Sequence, residues 1–128
     1  MKDKKTILVV EDDKFFVNIY RIKFTEKNFE VIVAMDGVEA INELQKKIPD
    51  IILLDLLMPK KDGFEVLTEL KKKIEWKDIP VVVATNLGQS EDIKRALAMG
   101  ANNYFVKSNV RIDEVVDTVM KTIPSSSV

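Results

Sequence analysis

The chain contains no cysteine and no histidine. Without cysteine there is no disulfide framework, no thiolate zinc site and no thiol nucleophile. Without histidine there is no histidine-based triad, no imidazole metal ligand and no side chain that donates a phosphoryl group as phosphohistidine. An excess of one charge is missing too. Twenty basic side chains face 21 acidic ones, which gives no electrostatic case for direct nucleic-acid binding or for an anionic membrane surface. The lysine clusters (Lys4 and Lys5, Lys46 and Lys47, Lys60 and Lys61, Lys71 to Lys73) are scattered and read as solvated helix faces. No apolar run approaches a membrane span, and the charged start through Thr6 is not a signal peptide. The expectation is a cytoplasmic protein.

What is present is the composition of one globular domain: 128 residues, 46% hydrophobic and 32% charged. A single domain over residues 1–128, with its core at about 5–123 and no effector domain, is expected. Short apolar runs at residues 6–10, 30–34, 51–54, 80–84 and 103–106 read as strands, most of them rich in Val or Ile. Pro80 is acceptable there only as a first strand residue. Helical periods lie between the runs. Ile112, Val115, Val116, Val119, Met120 and Ile123 form the cleanest stripe. Val38, Ile41, Leu44 and Ile48 form a second, opened by Asp36 with Glu39 three residues on. Ile93, Ala96, Leu97 and Gly100 form a third, with Ser90 as its cap. Residues 14–27 and 64–73 are the remaining helices. Phe15, Phe16, Ile19, Tyr20, Ile22 and Phe24 cover much of the first, which predicts that it is well buried. Five βα units in series imply a parallel sheet with helices on both faces and right-handed crossovers.

The chemistry gathers at the strand ends. The fully apolar run at 51–54 reads as a buried parallel strand and ends in Asp55. The run at 6–10 ends in Glu11, Asp12 and Asp13, and the run at 103–106 ends in Lys107. Open parallel sheets place their chemistry at the carboxyl ends of strands. Acidic groups and a lysine converging on one edge suit a hard divalent cation and a phosphoryl group.

These residues resemble the receiver domain of two-component response regulators, in the single-domain form typified by the chemotaxis regulator. The features, in order, are Leu8-Val9-Val10-Glu11-Asp12, Leu53-Leu54-Asp55 with Met58-Pro59 and Asp62-Gly63, Val83-Ala84-Thr85, and Tyr104-Phe105-Val106-Lys107. The resemblance implies an α/β, flavodoxin-like fold: a five-stranded parallel sheet in order 2-1-3-4-5 with five helices on two faces. It implies Asp55 as phosphoacceptor, modified by a sensor histidine kinase or a histidine phosphotransfer protein. Glu11, Asp12, Asp55 and the backbone carbonyl of Leu57 would hold Mg²⁺ (or Mn²⁺), leaving Asp13 to cap the first helix. Lys107 would pair with Asp55 and then with the phosphate. Thr85 would donate to a phosphoryl oxygen, and Tyr104 would be the switch aromatic. The readout would be a changed surface on the fourth helix, fifth strand and fifth helix (residues 90–100, 103–106 and 111–123), presented to a downstream protein by a monomer or a weak phosphorylation-linked dimer. Lys94, Arg95 and Arg111 are candidate contacts there.

The chain departs from the commonest receiver pattern at three places. Ser108 follows Lys107 where proline in a cis bond is usual, so the bond is expected to be trans or a strained cis. Asn86 follows Thr85 where a small residue is usual and would narrow access. Leu57 and Leu87, two residues beyond Asp55 and Thr85, are apolar and would screen an acyl phosphate from water. A haloacid-dehalogenase-like phosphohydrolase needs a second Asp where Leu57 stands. A flavin-binding reading has no glycine loop after the first strand. A pseudo-receiver that binds partners without phosphorylation is the alternative, left open by Asn86 and Ser108.

Overall fold

The computed structural model describes residues 4–123. Residues 1–3 and 124–128 lie outside the described residues. The five apolar runs form β1 (Lys5–Val10), β2 (Phe29–Ala34), β3 (Ile51–Leu54), β4 (Val81–Thr85) and β5 (Asn103–Val106). The helices between and after them are α1 (Lys14–Glu26), α2 (Gly37–Lys46), α3 (Gly63–Lys72), α4 (Ser90–Ala98) and α5 (Ile112–Thr122). All strand pairs are parallel, in the order β2-β1-β3-β4-β5. This is the expected flavodoxin-like order.

Strand alternation decides the layers, because successive side chains point to opposite faces. Leu8, Val10, Ile52, Leu54, Val81 and Val83 pack with Ala40, Leu44, Leu67, Leu70 and Ala96, so α2, α3 and α4 share one face. Ile7, Val9, Ile51, Leu53, Val82 and Ala84 pack with Tyr20, Phe24, Val115, Val116 and Val119, so α1 and α5 cover the other. β1 and β3 are apolar on both sides because both sides are covered. Burying a side chain such as Phe24 contributes about 1.5–3 kcal/mol.

Helix starts follow cap chemistry. Asp13 accepts from the Phe15 N–H at 2.9 Å. Asp36 accepts from Glu39 N–H at 2.8 Å. Asp62 and Glu65 make a reciprocal capping box. Ser90 is not a cap: α4 starts at Ser90 itself, and Gln89 precedes it without a side-chain cap bond. Pro80 stands just before β4, where its carbonyl accepts from Ile52 N–H.

The helix faces are narrower than their apolar content suggests. α1 is not buried all round: Phe15 and Ile22 are 61% and 60% exposed, while Val17, Tyr20 and Phe24 face the sheet. A helix cannot turn every side to one sheet; only the stripe at i, i+3, i+4 and i+7 reaches it. On α2 the inward stripe is Gly37, Ala40 and Leu44; Val38 is exposed, and Ile48 lies beyond the helix end and is exposed too. Leu97 and Met120 also face outward. Gly100 is no stripe residue: it follows the α4 end with φ +105°, a conformation that favours glycine.

One glycine sets the approach of α3 to the sheet edge. Gly63 N–H donates to the Leu56 carbonyl at 3.1 Å. A Cβ on Gly63 would stand 2.5 Å from the Asp55 carbonyl oxygen and 2.7 Å from Leu56 Cα. Gly63→Ala is therefore expected to destabilise the fold by about 1–3 kcal/mol, the range for overpacking. Urea denaturation checks it; an unchanged midpoint would mean that the backbone there yields freely.

Candidate functional site

The sheet order brings two acidic strand ends side by side. In register, Val10 of β1 faces Leu54 of β3. Beyond them, Asp55 N–H donates to the Val10 carbonyl and Glu11 N–H donates to the Ala34 carbonyl, both at 2.9 Å. Both side chains are buried, Glu11 2% and Asp55 5% exposed. Asp12, one residue on, is exposed. One carboxylate oxygen from each of Glu11, Asp12 and Asp55 lies within 4.8 Å of the others.

Lys107 enters from the end of β5. Its Nζ lies 2.5 Å from Glu11 Oε1 and 2.9 Å from Asp55 Oδ2. The remaining carboxylate oxygens are also occupied. Asp55 Oδ1 accepts from Leu57 N–H at 3.0 Å, and Glu11 Oε2 accepts from Asp13 N–H at 3.0 Å. The electrostatics follow from this packing. Burial raises the Glu11 carboxyl to about 7, helped by the nearby Asp55 charge and opposed by Lys107 and the Asp13 N–H. Burial alone would lower the Lys107 ammonium, but its bonds to Glu11 and Asp55 outweigh that and raise it. The ammonium stays charged between two carboxylates.

A divalent cation fits this donor set. The three residues offer carboxylate oxygens only, with no nitrogen or sulfur, which suits Mg²⁺ or Mn²⁺. Crowded carboxylates repel one another until a cation neutralises them.

The other expected residues lie on β4 and β5 and in the loops that follow β3 and β4. Thr85 ends β4 fully buried, opposite Val106 in register. Its Oγ1 accepts from Leu87 N–H at 3.5 Å. Tyr104 is half-buried, and its hydroxyl donates to the Leu87 carbonyl at 2.7 Å. Burial, with the Asp92 and Asp55 charges, pushes that phenol up to about 12. Thus Thr85 and Tyr104 both meet the backbone of Leu87. Asn86 is exposed, Leu57 is 49% exposed, and the Leu87 side chain packs against the α2–α4 side of the core. Among the described residues there is no cis peptide bond, so the Lys107–Ser108 bond is trans. It opens a 3-10 turn at Lys107–Asn109, and the ammonium reaches Asp55 all the same.

One site residue was not legible. Phe16 lies with its ring centroid 4.4 Å from Lys107 Nζ. In sequence it is one of many apolar residues in α1. The available signal was positional: the first turn of α1 stands at the same sheet edge as Glu11 and Asp12.

Comparison with known proteins agrees with this geometry. The family model for the response regulator receiver domain matches residues 7–120. The chain belongs to the response regulator receiver domain family. This receiver is 39% identical over 105 residues to the probable transcriptional regulator ycf27 of Cyanophora paradoxa, spanning 82% of the chain and 43% of that protein. It is 40% identical over 110 residues to response regulator PleD of Caulobacter vibrioides, spanning 86% of the chain and 24% of that protein. The chain thus spans less than half the length of these curated relatives. Among solved structures, the Mn(2+)-bound form of response regulator Rcp1 superposes with a TM-score of 0.84 at 33% identity, over 94% of this chain and 99% of that one. The phosphorylated cyanobacterial phytochrome response regulator RcpA superposes with a TM-score of 0.86 at 32% identity, over 98% of each. Receiver domains are signalling phosphoacceptors of two-component systems. Among the described residues no helix is long and apolar enough to cross a membrane.

Lys107 bridges two buried carboxylates and offsets their mutual repulsion. Lys107→Ala is expected to cost about 3 kcal/mol of stability in the presence of EDTA, as for a broken buried ion pair. Millimolar Mg²⁺ is expected to return much of it by binding the folded state. Thermal unfolding of both proteins with and without Mg²⁺ checks this; equal losses in the two conditions would count against a shared electrostatic centre.

Proposed function

We propose that this receiver accepts a phosphoryl group on Asp55 from the phosphohistidine of a sensor histidine kinase or a histidine phosphotransfer protein. The observation that carries the reading is the buried convergence of Glu11, Asp55 and Lys107, with Asp12 beside them at the open rim. An Asp55 carboxylate oxygen attacks phosphorus, the O–P bond forms, the P–N bond breaks, and the imidazole leaves. Lys107 compensates the charge on the incoming phosphoryl oxygens. Glu11, Asp12, Asp55 and the Leu57 carbonyl would hold Mg²⁺ or Mn²⁺. When bound, the cation neutralises phosphoryl charge and aligns the oxygens for transfer. The relatives named above in Mn(2+)-bound and phosphorylated forms support the same reading.

The response is a population shift in α4, β5 and α5 that presents an altered face to a downstream protein. Two features support α4 as its mobile part. Only Ala96 of α4 is fully buried, and the loop that leads into it is tied to Tyr104 through a single hydrogen bond at Leu87. Thr85, already bonded to that loop, draws it toward the phosphoryl group, and Tyr104 follows. The protein catalyses no turnover of a separate substrate; its chemistry is its own phosphorylation and slow hydrolysis of the acyl phosphate.

Intact mass after incubation with Mg²⁺ and acetyl phosphate tests the assignment. The expected result is one phosphate adduct that requires Mg²⁺ and is absent in Asp55→Asn. An adduct that survives in Asp55→Asn would overturn the assignment of Asp55. No adduct and no Mg²⁺ binding would favour the phosphorylation-independent pseudo-receiver. No adduct with clear Mg²⁺ binding would point to access narrowed by Asn86.

Leu57 and Leu87 bear on lifetime. Leu57 stands exposed beside Asp55, and Leu87 is half-buried at the β4–α4 loop. The double variant Leu57→Asn, Leu87→Glu is expected to lose phosphate several-fold faster, because polar side chains admit and orient water at the acyl phosphate. Adduct decay after removal of the phosphodonor measures it; an unchanged decay rate would rule out screening by these two side chains.

A further inference from the structure

Two carboxylates do not account for the whole environment of the Lys107 ammonium. The Lys107 side chain is 5% exposed, and Nζ bonds Glu11 and Asp55 on one side. The face of Phe16 lies 4.4 Å away from the same atom. That ring is not loose. Its centroid is 5.3 Å from Phe15, edge to face, and 6.0 Å from Tyr20, which in turn lies 6.1 Å from Phe24. Phe24 stacks edge-on against Phe29 of β2 at 5.5 Å. Phe16 is thus the top of an aromatic ladder anchored in the core.

We propose that Phe16 is a positioning residue: its ring face holds the Lys107 ammonium beside Asp55 when Glu11 and Asp55 turn their oxygens to a divalent cation. The kinetic part of this inference rests on Asp55 being the phosphoacceptor; the placement of the ammonium does not. The physical reason is competition. Glu11 and Asp55 belong both to the lysine and to the acidic set that suits a cation. A cation bound there weakens both lysine bonds and repels the ammonium. An aromatic face attracts the ammonium through its quadrupole and offers no lone pair to a hard cation. It is the one neighbour of Nζ described above whose attraction a metal does not take away. Leucine would fill much of the same space without that face, whereas tyrosine keeps it.

The test compares wild type, Phe16→Leu and Phe16→Tyr, free and saturated with Mg²⁺. NMR of the Lys107 ε-methylene protons, assigned against Lys107→Arg, reads the ring-current shift. The expected result is an upfield shift in wild type and Phe16→Tyr that persists with Mg²⁺, and its loss in Phe16→Leu. With acetyl phosphate and Mg²⁺, Phe16→Leu is expected to form the adduct about tenfold more slowly and Phe16→Tyr at close to the wild-type rate. Mg²⁺ affinity, read by calorimetry, stays close to wild type in both. In a Lys107→Ala background, Phe16→Leu is expected to add no further slowing. An upfield shift that vanishes in wild type on adding Mg²⁺ overturns the proposal, as does equal slowing by Phe16→Leu with and without Lys107. If wild type takes no phosphate at all, the phosphoacceptor reading fails, and the Mg²⁺-saturated NMR still decides where the ammonium sits. If Phe16→Leu does not fold, wild type and Phe16→Tyr carry the same decision.

Discussion

A buried ammonium between two buried carboxylates is the constraint on which the arrangement depends. Charges out of water are costly unless paired and hydrogen-bonded. Here each is satisfied: Lys107 by Glu11 and Asp55, Asp55 also by Leu57 N–H, and Glu11 also by Asp13 N–H. The pairing requires β1 beside β3 in the observed register, and requires β5 to end at the same edge. Sheet order and site chemistry are therefore one condition. A slip of one residue in β3 would exchange its side chains between the two core faces and carry Asp55 away from Glu11.

The two sides of the site differ in firmness. Toward α1 and α3 the surroundings are close-packed: an aromatic ladder runs down α1, and Gly63 brings α3 against the Asp55 backbone. Toward α4 they are sparse. α4 buries Ala96 alone, and Arg95 lies over the Phe64 ring at 4.0 Å as its link to α3. A charge change at Asp55 meets a stiff wall on one side and a lightly held helix on the other. In the proposed switch, displacement would follow the side that costs least, which would make the Leu87 loop, with Thr85 and Tyr104 bonded to it, the coupling element.

Much of this was legible from strand ends. Apolar runs closing in Glu11, Asp55 and Lys107 point to a shared sheet edge because parallel strands all end on the same side. The caps at Asp13 and Asp36 were readable because cap chemistry is local, although Ser90 shows that a good cap residue takes the role only when the backbone places it one position earlier. Apolar content overstated burial on α1, where Phe15 and Ile22 face outward. Counting apolar residues does not say which of two possible stripes a sheet will cover.

The sequence by itself determined the fold class, the strand order through family resemblance, and which residue types meet at the edge. Periodicity and strand-end chemistry are properties of neighbouring positions, so they can be read along the chain. Only the tertiary structure decided that Lys107 bridges Glu11 as well as Asp55, that its bond to Ser108 is trans, and that Phe16 faces its ammonium. Those facts join residues far apart in the chain and depend on distances of a few ångströms, set by how α1 and β5 pack on the sheet. No local pattern encodes such distances; they exist once the core has closed.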